Sequence, residues 1–547
     1  MRYKTKQFAI LITIFFSALI VNFGFAFSTL NSNSNLQQFK FVNDLRTSTE
    51  YNTSITIDDT NPAIDWVAAK AAGLCTGSGT VGDPYIISNH IFNISAPSHA
   101  LHISHSRKHF RVLNCEFTGG VYGIWLFNTS NGLIEDNHMT NTLFGLDIMN
   151  CSQIVFRDNN CSAIGVIGIL GSDSKYLSFY SNIANNNPVY GFNLDNLENC
   201  IFEGNTANDN IVDGFFFLTC DFLTISGNTA NGNQMGINNV NSDHSSISGN
   251  TLEKNTIMGI FVESSDYCLV SGNDVKGSDV FGIYVANSYN NTIEDNTVQS
   301  SVLDGINLDN TEDTVIYQNS IAHNRENGIQ LTGCDNITII DNEAFNNTLS
   351  GIRVFSSDDN NLESNNFHHN GGDGIRVLSG SQRNILKGNI ATFNNLSGIA
   401  LYVNSDDNLI YDNTASNNLQ HGIYLGTSDD NLITMNTANH NTMNGIELFS
   451  SDSNSITSNI ANYNVNGTNL ISSDDNFIFG NNLGNNVYCY NETNSVDNVY
   501  EDNICQPLAV PSAPFDPFIL GIIIGLVIGF GALAAVLILN FLRGRKE

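Results

Sequence analysis

Short apolar stretches alternate with polar turns along most of the chain. The segment 422–444 reads GIYLGTSDDNLITMNTANHNTMN, in which Ile423 and Leu425 alternate with Tyr424. A period of two places successive side chains on opposite faces of a strand, so this stretch predicts a short strand with one buried face. The SDDN stretch that follows supplies residues that tolerate left-handed turn geometry. Each such segment is therefore predicted to hold short strands separated by tight turns.

This unit recurs every 22 to 24 residues, and sixteen glycines from Gly123 to Gly467 mark it. Self-similarity at a fixed period is typical of solenoids, in which each repeat adds one coil to a continuous core. Asn, Gly and β-branched residues fill the units and helix formers are scarce, which favours strands over helices. The predicted fold class is therefore all-β, a parallel β-helix of about 16 coils.

An asparagine row keeps the same period without a gap, and the residue three positions before each asparagine is apolar. A buried amide is costly unless it is hydrogen-bonded. Stacked coils would let each amide bond its equivalents above and below, as in cross-β amide ladders. We therefore predict a structural ladder whose members include Asn205, Asn228, Asn250, Asn273, Asn296, Asn319, Asn342 and Asn365.

The two ends of the chain differ from the repeat. Arg2, Lys4 and Lys6 precede an apolar run, which predicts a signal peptide over residues 1–27. Residues 518–542 carry no charge and are long enough to cross a bilayer, which takes about 20 apolar residues. Basic residues follow, so residues 543–547 are predicted to be a cytoplasmic tail. The rest of the chain would then lie on the extracellular face of the cell membrane, held by a single pass.

The open ends of a solenoid expose unpaired strand edges and need cover. The run AIDWVAAKAA predicts a capping helix near the N-terminal end. Cys489 and Cys505 flank the other end and are predicted to form a disulfide in an oxidising exterior. The predicted order is a polar leader at 28–57, a capping helix region at 58–76, the β-helix at 77–482, a C-terminal cap at 483–506 and a Pro-containing tether at 507–517.

The formal net charge of the chain is −32. A surface of this sign repels phosphate backbones, which excludes nucleic acid as a predicted partner. Glycans or envelope proteins remain as candidate partners, together with the membrane at the C-terminal helix. The ten cysteines include no CxxC pair, so the sequence predicts no zinc or thioredoxin-like site.

The repeated unit resembles the right-handed β-helix repeat of the pectate-lyase-like superfamily, in particular its NosD-like branch of carbohydrate-binding and sugar-hydrolysis domains. The segment GSGTVGDPYIISN at 77–89 resembles the start of archaeal surface members. The resemblance covers residues 77–482 and implies a right-handed coil. It implies no single function, because the superfamily includes lyases, hydrolases, phage spikes, adhesins and a copper-site accessory protein. Only half of the GHG block of polygalacturonases is present, at His421-Gly422, which argues against a galacturonan hydrolase.

A candidate binding face follows from the outward positions of the first strand of each coil, which are the residues one before, two after and four after the glycine. Over four coils these positions become polar, at Asp304, Asn307, Asp309, Asn327, Gln330, Arg353, Asp373 and Arg376. Tyr284 and Phe261 continue the row on one side, and Tyr424 and His421 on the other. Polar groups beside aromatic faces suit sugars. The alternative is a solvated strand face with compensating Asp/Arg pairs.

The resemblance to polysaccharide lyases makes Arg353, Arg376 and Asp373 candidate catalytic residues. A second candidate site is the row Asp406, Asp429, Asp452 and Asp474. Stacked carboxylates repel each other unless cations bridge them, so calcium is one interpretation of this row. The alternative interpretation is ordinary turn chemistry facing solvent.

Three functions are therefore carried forward. The first is a membrane-anchored extracellular β-helix protein that binds glycans or envelope components without catalysis. The second is a polysaccharide lyase or hydrolase acting on surface sugars. The third is a NosD-like metal-handling accessory protein, which the resemblance suggests together with the histidines His99, His102, His105 and His109.

Overall fold

The computed structural model describes residues 48–95 and 97–506. These residues form a parallel β-solenoid of about 18 turns. The predicted signal peptide, tether, membrane helix and cytoplasmic tail lie outside the described residues, as does most of the polar leader. Within the described ranges, no helix is long and apolar enough to cross a membrane.

The strand that begins at or next to the repeat glycine pairs in parallel with its equivalent in the next coil, and these strands form the first sheet. The long strand Ile167–Lys175 also joins this sheet to the second one, because Lys175 pairs with Ser152. The first-sheet strands are Ile55–Asp58, His99–Ser104, Tyr122–Phe127, Phe144–Met149, Ile167–Lys175, Phe192–Glu198, Asp213–Leu218, Met235–Val240, Met258–Glu263, Phe281–Ala286, Ile306–Asp309, Ile329–Thr332, Ile352–Phe355, Ile375–Leu378, Ile399–Tyr402, Ile423–Gly426, Asn444–Phe449, Asn466–Ile471 and Tyr488–Thr493.

The second sheet follows the turn after the first strand of each coil. Its strands are Tyr85–Ser88, Phe110–Leu113, Ser130–Glu135, Ser152–Arg157, Ser178–Tyr180, Ile201–Glu203, Thr224–Ser226, Ser246–Ser248, Leu269–Ser271, Thr292–Glu294, Val315–Tyr317, Thr338–Ile340, Asn361–Glu363, Ile385–Lys387, Leu409–Tyr411, Leu432–Thr434, Ser455–Thr457, Phe477–Phe479 and Val499–Glu501.

The third sheet is formed in two blocks, and isolated parallel bridges continue it between and beyond them. Its strands are Thr49–Tyr51, His90–Ile94, Glu116–Gly119, His138–Thr140, Thr251–Glu253, Asp274–Lys276, Thr297–Gln299, Ser320–Ala322, Glu343–Phe345, Asn366–His368 and Ile390–Thr392. The inward side chains of all three sheets form one continuous apolar core along the solenoid.

The repeat glycine is required by close approach between coils. A Cβ at Gly305 would lie 2.8 Å from the carbonyl oxygen of Gly328 and 2.4 Å from Ile321 Cγ2. The coils at the two ends carry other residues at this register position, Ala100 and Cys489. Counting glycines therefore underestimates the number of coils, which explains why the predicted 16 falls short of the observed number.

The asparagine row lies inside the solenoid. Asn296 is 1% exposed, and its Nδ2 donates to Asn319 Oδ1 at 2.9 Å and to the Val270 carbonyl at 2.9 Å. Its own Oδ1 accepts from Asn273 Nδ2 at 2.9 Å. Equivalent amide bonds link Asn205, Asn228, Asn250, Asn273, Asn296, Asn319, Asn342 and Asn365 in succession.

A further amide ladder occupies the last position of the SDDN turn, which the sequence analysis interpreted as turn chemistry. Asn431 is 1% exposed and its Nδ2 donates to Asn454 Oδ1 at 3.1 Å. The neighbouring Asp430 has the positive φ expected of a turn, at 57°. The turn therefore ends one residue earlier than predicted, and its asparagine points into the core.

The N-terminal region contains the short helix Trp66–Ala71, whose N-cap Asp65 accepts from the backbone N–H of Ala68. Trp66 is 1% exposed, and its ring stacks on Tyr85 with centroids 4.9 Å apart. The predicted boundary of the leader at residue 57 is wrong, because the strand Ile55–Asp58 already pairs with the next coil. The coil therefore begins before the helix, within residues assigned to the leader.

The C-terminal boundary of the β-helix, predicted at residue 482, is also too early. Strands Tyr488–Thr493 and Val499–Glu501 pair in parallel with the preceding coil. Residues 483–506 are therefore one more coil rather than a separate cap. A disulfide joins Cys489 to Cys505 within this coil.

Candidate functional site

The outward side chains of the first sheet form one face, called here the outer face. Asn307, Gln330, Arg353 and Arg376 occupy the same register position in four consecutive coils. Tyr284 precedes Asn307 in this row. The predicted binding residues are thus brought together on one face by the pairing of successive strands.

The row continues beyond Arg376 through Ala400 to Tyr424. Ala400 interrupts the polar row, so one intervening coil separates the two predicted parts of the face. The ring of Tyr424 nevertheless approaches Tyr402, with centroids 5.2 Å apart. Aromatic side chains therefore bridge the interruption.

Asp304 organises one end of the polar row. It is 4% exposed, and its carboxylate accepts from Asn307 Nδ2 at 3.0 Å and from Asn327 Nδ2 at 3.0 Å. Burial raises the pKa of Asp304, and the hydrogen bonds from the two amides oppose that rise. Asp309 lies at the edge of this group and accepts from the Tyr284 hydroxyl at 3.2 Å. These bonds fix the rotamers of the group before any ligand binds.

The two arginines lie side by side on adjacent strands. Arg353 Nη1 donates to Gln330 Oε1 at 3.1 Å, and its guanidinium lies 4.7 Å from the centre of the Phe355 ring. Arg376 lies 4.9 Å from the centre of the Tyr402 ring. Burial, and then the charge of Arg376, lower the pKa of Arg353. Each guanidinium therefore lies near the centre of an aromatic ring and beside a like charge.

Asp373 is fully buried beside Arg376. Its Oδ2 lies 4.0 Å from Arg376 Nη1 and accepts from the Tyr402 hydroxyl at 3.5 Å, while Oδ1 accepts from the Ser397 N–H at 2.9 Å. Burial raises the pKa of Asp373 to about 6. The Nε of Arg376 is buried and has no hydrogen-bond partner. The Nε donor thus stays unpaired inside the protein, while the side chain as a whole is 37% exposed, so a ligand can reach its accessible part.

The outer face continues into a group that the sequence analysis did not single out. Glu447 follows Tyr424 in the row and is 9% exposed. Its Oε2 accepts from Asn444 Nδ2 and, at 3.2 Å, from Asn469 Nδ2. His421 Nδ1 lies 3.3 Å from the same oxygen. The outward-position rule, carried one coil beyond Tyr424, would have found Glu447.

Two more buried carboxyls lie on the outer face toward the N-terminal end. Asp213 is 3% exposed and accepts from Asn238 Nδ2 at 3.0 Å, and burial raises its pKa to about 7. Asp147 is 7% exposed, and burial raises its pKa to about 6. It pairs in register with Trp125, whose ring stacks on His102 at 3.9 Å. The sequence analysis missed these groups because it followed only the run of four consecutive polar coils, and here the polar outward residues alternate with aromatic or aliphatic ones such as Trp125 and Phe216.

The predicted calcium row has a different explanation. Asp406 Oδ1 accepts from the backbone N–H of Asp429 at 2.7 Å, and Asp429 and Asp452 bond the next coil in the same way at 2.7 Å. Asp474 likewise accepts from Val496 N–H at 2.8 Å. Within residues 48–95 and 97–506, no cluster of three His, Cys, Asp or Glu side chains could hold a metal ion. The row takes part in hydrogen bonding between successive turns, as the alternative interpretation expects, and calcium at these residues stays a prediction.

The N-terminal histidines likewise belong to no cluster of three metal-binding side chains within the described residues. His99 Nε2 lies 2.9 Å from Thr56 Oγ1, and His105 Nδ1 lies 3.3 Å from Asp58 Oδ1. Burial lowers the pKa of His102 to about 4. These side chains are used for packing and for hydrogen bonds between coils, and in the described residues they do not converge on one point.

A family model described as a right-handed β-helix region matches residues 99–257 and 346–486, together more than half of the chain. The chain belongs to the right-handed β-helix family. A second model, described as the periplasmic copper-binding protein NosD, matches residues 190–327 and 276–390. The pairing of consecutive coils described above is what a member of this family requires.

Solved structures with the same kind of fold share little sequence with this chain. The periplasmic alginate epimerase AlgG is 14% identical over 58% of this chain and 79% of its own, with a TM-score of 0.31. The surface adhesin PfbA of Streptococcus pneumoniae is 14% identical over 62% of this chain and 84% of its own, with a TM-score of 0.34. The Dettilon tailspike protein is 17% identical over 55% and 62%, with a TM-score of 0.35. No curated protein matches the chain.

Proposed function

We propose that this protein binds a glycan along the outer face of its first sheet, outside the cell. The observation that carries the proposal is the register of Asn307, Gln330, Arg353 and Arg376 in four consecutive coils. A row of hydrogen-bonding groups at a constant spacing of about 4.8 Å suits a linear polymer of similar units. Binding without chemistry is the simplest role for such a row.

The paired arginines give the row its chemical character. Like charges on directly opposed strand positions destabilise a sheet, so their presence favours a ligand that neutralises them. A guanidinium binds carboxylate or sulfate groups with two parallel hydrogen bonds. The rings of Tyr402 and Phe355 hold the two guanidiniums in place. The expected ligand therefore presents an anionic group to Arg353 and Arg376.

The test is a glycan array probed with the wild-type protein, followed by titration of the glycans that bind. Arg353→Ala and Arg376→Ala should each weaken binding about tenfold or more, because a charge-assisted bond contributes about 1.5–3 kcal/mol. Neither change should lower the unfolding temperature much, because both side chains face outward. Arg383→Ala is the matched control, since Arg383 pairs with Asp358 and Asp359 in a turn. Equal affinity of all three variants would contradict the proposal.

Cleavage of the bound glycan is the second candidate function. Asp373 favours it, because burial raises its pKa to about 6 and its Oδ2 accepts from the hydroxyl of the half-buried Tyr402 at 3.5 Å, which gives this buried carboxyl a proton route toward the outer face. Its test is incubation of the protein with the glycans that bind, with detection of new chain ends. Cleavage that Asp373→Asn abolishes would establish the enzyme, and intact glycan after prolonged incubation would exclude it.

We also propose that the β-helix is displayed outside the cell on the predicted membrane helix at 518–542. The disulfide between Cys489 and Cys505 supports an oxidising location. Truncation after Pro517, with the signal intact, should release the protein into the medium. Retention of the truncated chain in the membrane fraction after signal removal would refute the anchor.

The metal content of the purified protein tests the NosD-like alternative. That alternative requires copper at a near-stoichiometric ratio to the protein.

A further inference from the structure

Toward its C-terminal end the outer face holds a depression of about 320 Å³ that the residues of the glycan proposal do not include. Glu447 lies at its floor, three coils beyond Arg376 in the same row. The depression is lined by His421, Met443, Asn444, Glu447, Val465, Asn466, Asn469 and Ile471. It therefore combines apolar walls with a floor of amides and one carboxylate.

The electrostatics of this depression differ from those around the arginines. No Lys or Arg is among its lining residues. Glu447 is held by the side-chain amides of Asn444 and Asn469. His421 is 7% exposed and its Nδ1 has no hydrogen bond; burial lowers the pKa of the imidazole, and the nearby Glu447 opposes that change. The depression thus presents one carboxyl group, side-chain amides and an imidazole, with no Lys or Arg beside them.

A carboxylate and amides at the floor of a depression accept and donate hydrogen bonds to hydroxyl groups. Met443, Val465 and Ile471 supply apolar walls against which the C–H face of a sugar ring can pack. An anionic sugar is disfavoured, because it would bring a second negative charge beside Glu447. The fixed, partly unsatisfied polar groups reject a ligand that cannot pair with them.

We propose that this depression is a subsite for one neutral sugar ring, whose hydroxyl groups bind Glu447 and Asn469. The inference rests on the proposed glycan binding and extends it. Arg353 and Arg376 select an anionic sugar, and Glu447 selects a neutral one about three coil spacings, or roughly 14 Å, further along the solenoid. The ligand class is then a heteropolysaccharide that contains both acidic and neutral sugars.

Calorimetric titration of the full-length chain with three defined hexasaccharides tests this inference. One probe alternates glucuronate with neutral N-acetylglucosamine, one is uniformly galacturonate, and one is uniformly glucose. The wild type should bind the alternating probe at least about tenfold more tightly than either uniform probe. Glu447→Gln should weaken the alternating and neutral probes about tenfold while leaving the galacturonate probe unchanged or improved. Glu294→Gln, on the second sheet, is the matched control and should change nothing.

A second variant avoids the buried carboxylate. Val465 is 41% exposed at the wall of the depression, so Val465→Trp should fill the space without disturbing the core and should reproduce the selective loss. An equal loss of affinity for all three probes, or no loss of affinity for the alternating probe in either variant, would overturn the subsite. The arginine variants would still test glycan binding by the rest of the outer face. Absence of wild-type binding to all three probes and to the glycan array would overturn both proposals.

Discussion

Replacing Asn296 by Ala tests the amide ladder that joins the coils. The Asn296 side chain takes part in four hydrogen bonds. It donates to Val270 O and Asn319 Oδ1, and it accepts from the backbone N–H and the Nδ2 of Asn273. The backbone N–H of Asn296 would keep its bond to Asn319 Oδ1 at 3.0 Å.

Truncation therefore leaves three buried groups without their partner: the Val270 carbonyl, the Asn273 N–H and one N–H of the Asn273 side chain. Each buried unsatisfied group costs about 1–3 kcal/mol. A water molecule admitted to the cavity could recover part of this cost, because the site is polar. At the lower value of about 1 kcal/mol for each of the three groups, we expect the free energy of unfolding to fall by about 3 kcal/mol.

Urea unfolding of the full-length variant, together with hydrogen exchange of the Asn273 amide, measures this loss. Asn361→Ala is the control, because Asn361 is a half-buried, outward residue of the second sheet, and its replacement should cost less than about 0.5 kcal/mol. Hydrogen exchange is needed because a solenoid can open locally rather than in one step. The reasoning is refuted if both variants unfold alike and the Asn273 amide remains protected.

Three further predictions concern other parts of the solenoid. Because the folded pKa of Asp213 is raised to about 7 from 3.8, its stabilising contribution is present below about pH 4 and is lost as the pH rises through 7. Asp213→Asn should therefore unfold later than wild type at pH 8, with the difference vanishing near pH 4, as a urea series over pH would show. Cys505→Ser removes the disulfide to Cys489, which lies 16 residues away in the sequence, and should destabilise the last coil by about 3 kcal/mol. Hydrogen exchange of the backbone amides should then become faster in that coil only. Gly305→Ala should lower the unfolding temperature, because its Cβ would meet the Gly328 carbonyl at 2.8 Å.

Periodicity made the fold predictable, because each coil repeats the same physical demands. The asparagine row could be assigned to the interior since every member follows an apolar residue at a constant spacing. The ends were harder to place. Ala100 and Cys489 occupy the register position of the repeat glycine without being glycine, so the terminal coils were not counted. At Cys489 the described residues hold no following coil, so the steric demand for glycine is absent there, whereas Ala100 still faces the Gly123 coil and this demand does not explain it.

The polar row of the outer face followed from alternation alone, because strand pairing in register carries outward positions of successive coils onto one face. What alternation could not supply is burial. Asp373 is fully buried and Glu447 is 9% exposed, although both occupy outward positions. These two carboxyl groups are covered by side chains of adjacent coils. The identity and the rotamers of those side chains differ from coil to coil, so the repeat pattern does not predict the burial. The same limit explains why the sequence left two interpretations of the Asp406 row open, calcium and turn chemistry, and could not show its hydrogen bonds between successive turns.

The central claim is that a glycan lies along the outer face of the first sheet. The most direct test is the structure of the complex with a glycan identified by the array. The account predicts sugar rings along the row from Asn307 to Tyr424, with an anionic group within hydrogen-bond distance of Arg353 or Arg376. A glycan bound on the second or third sheet, or at an end of the solenoid, would contradict it.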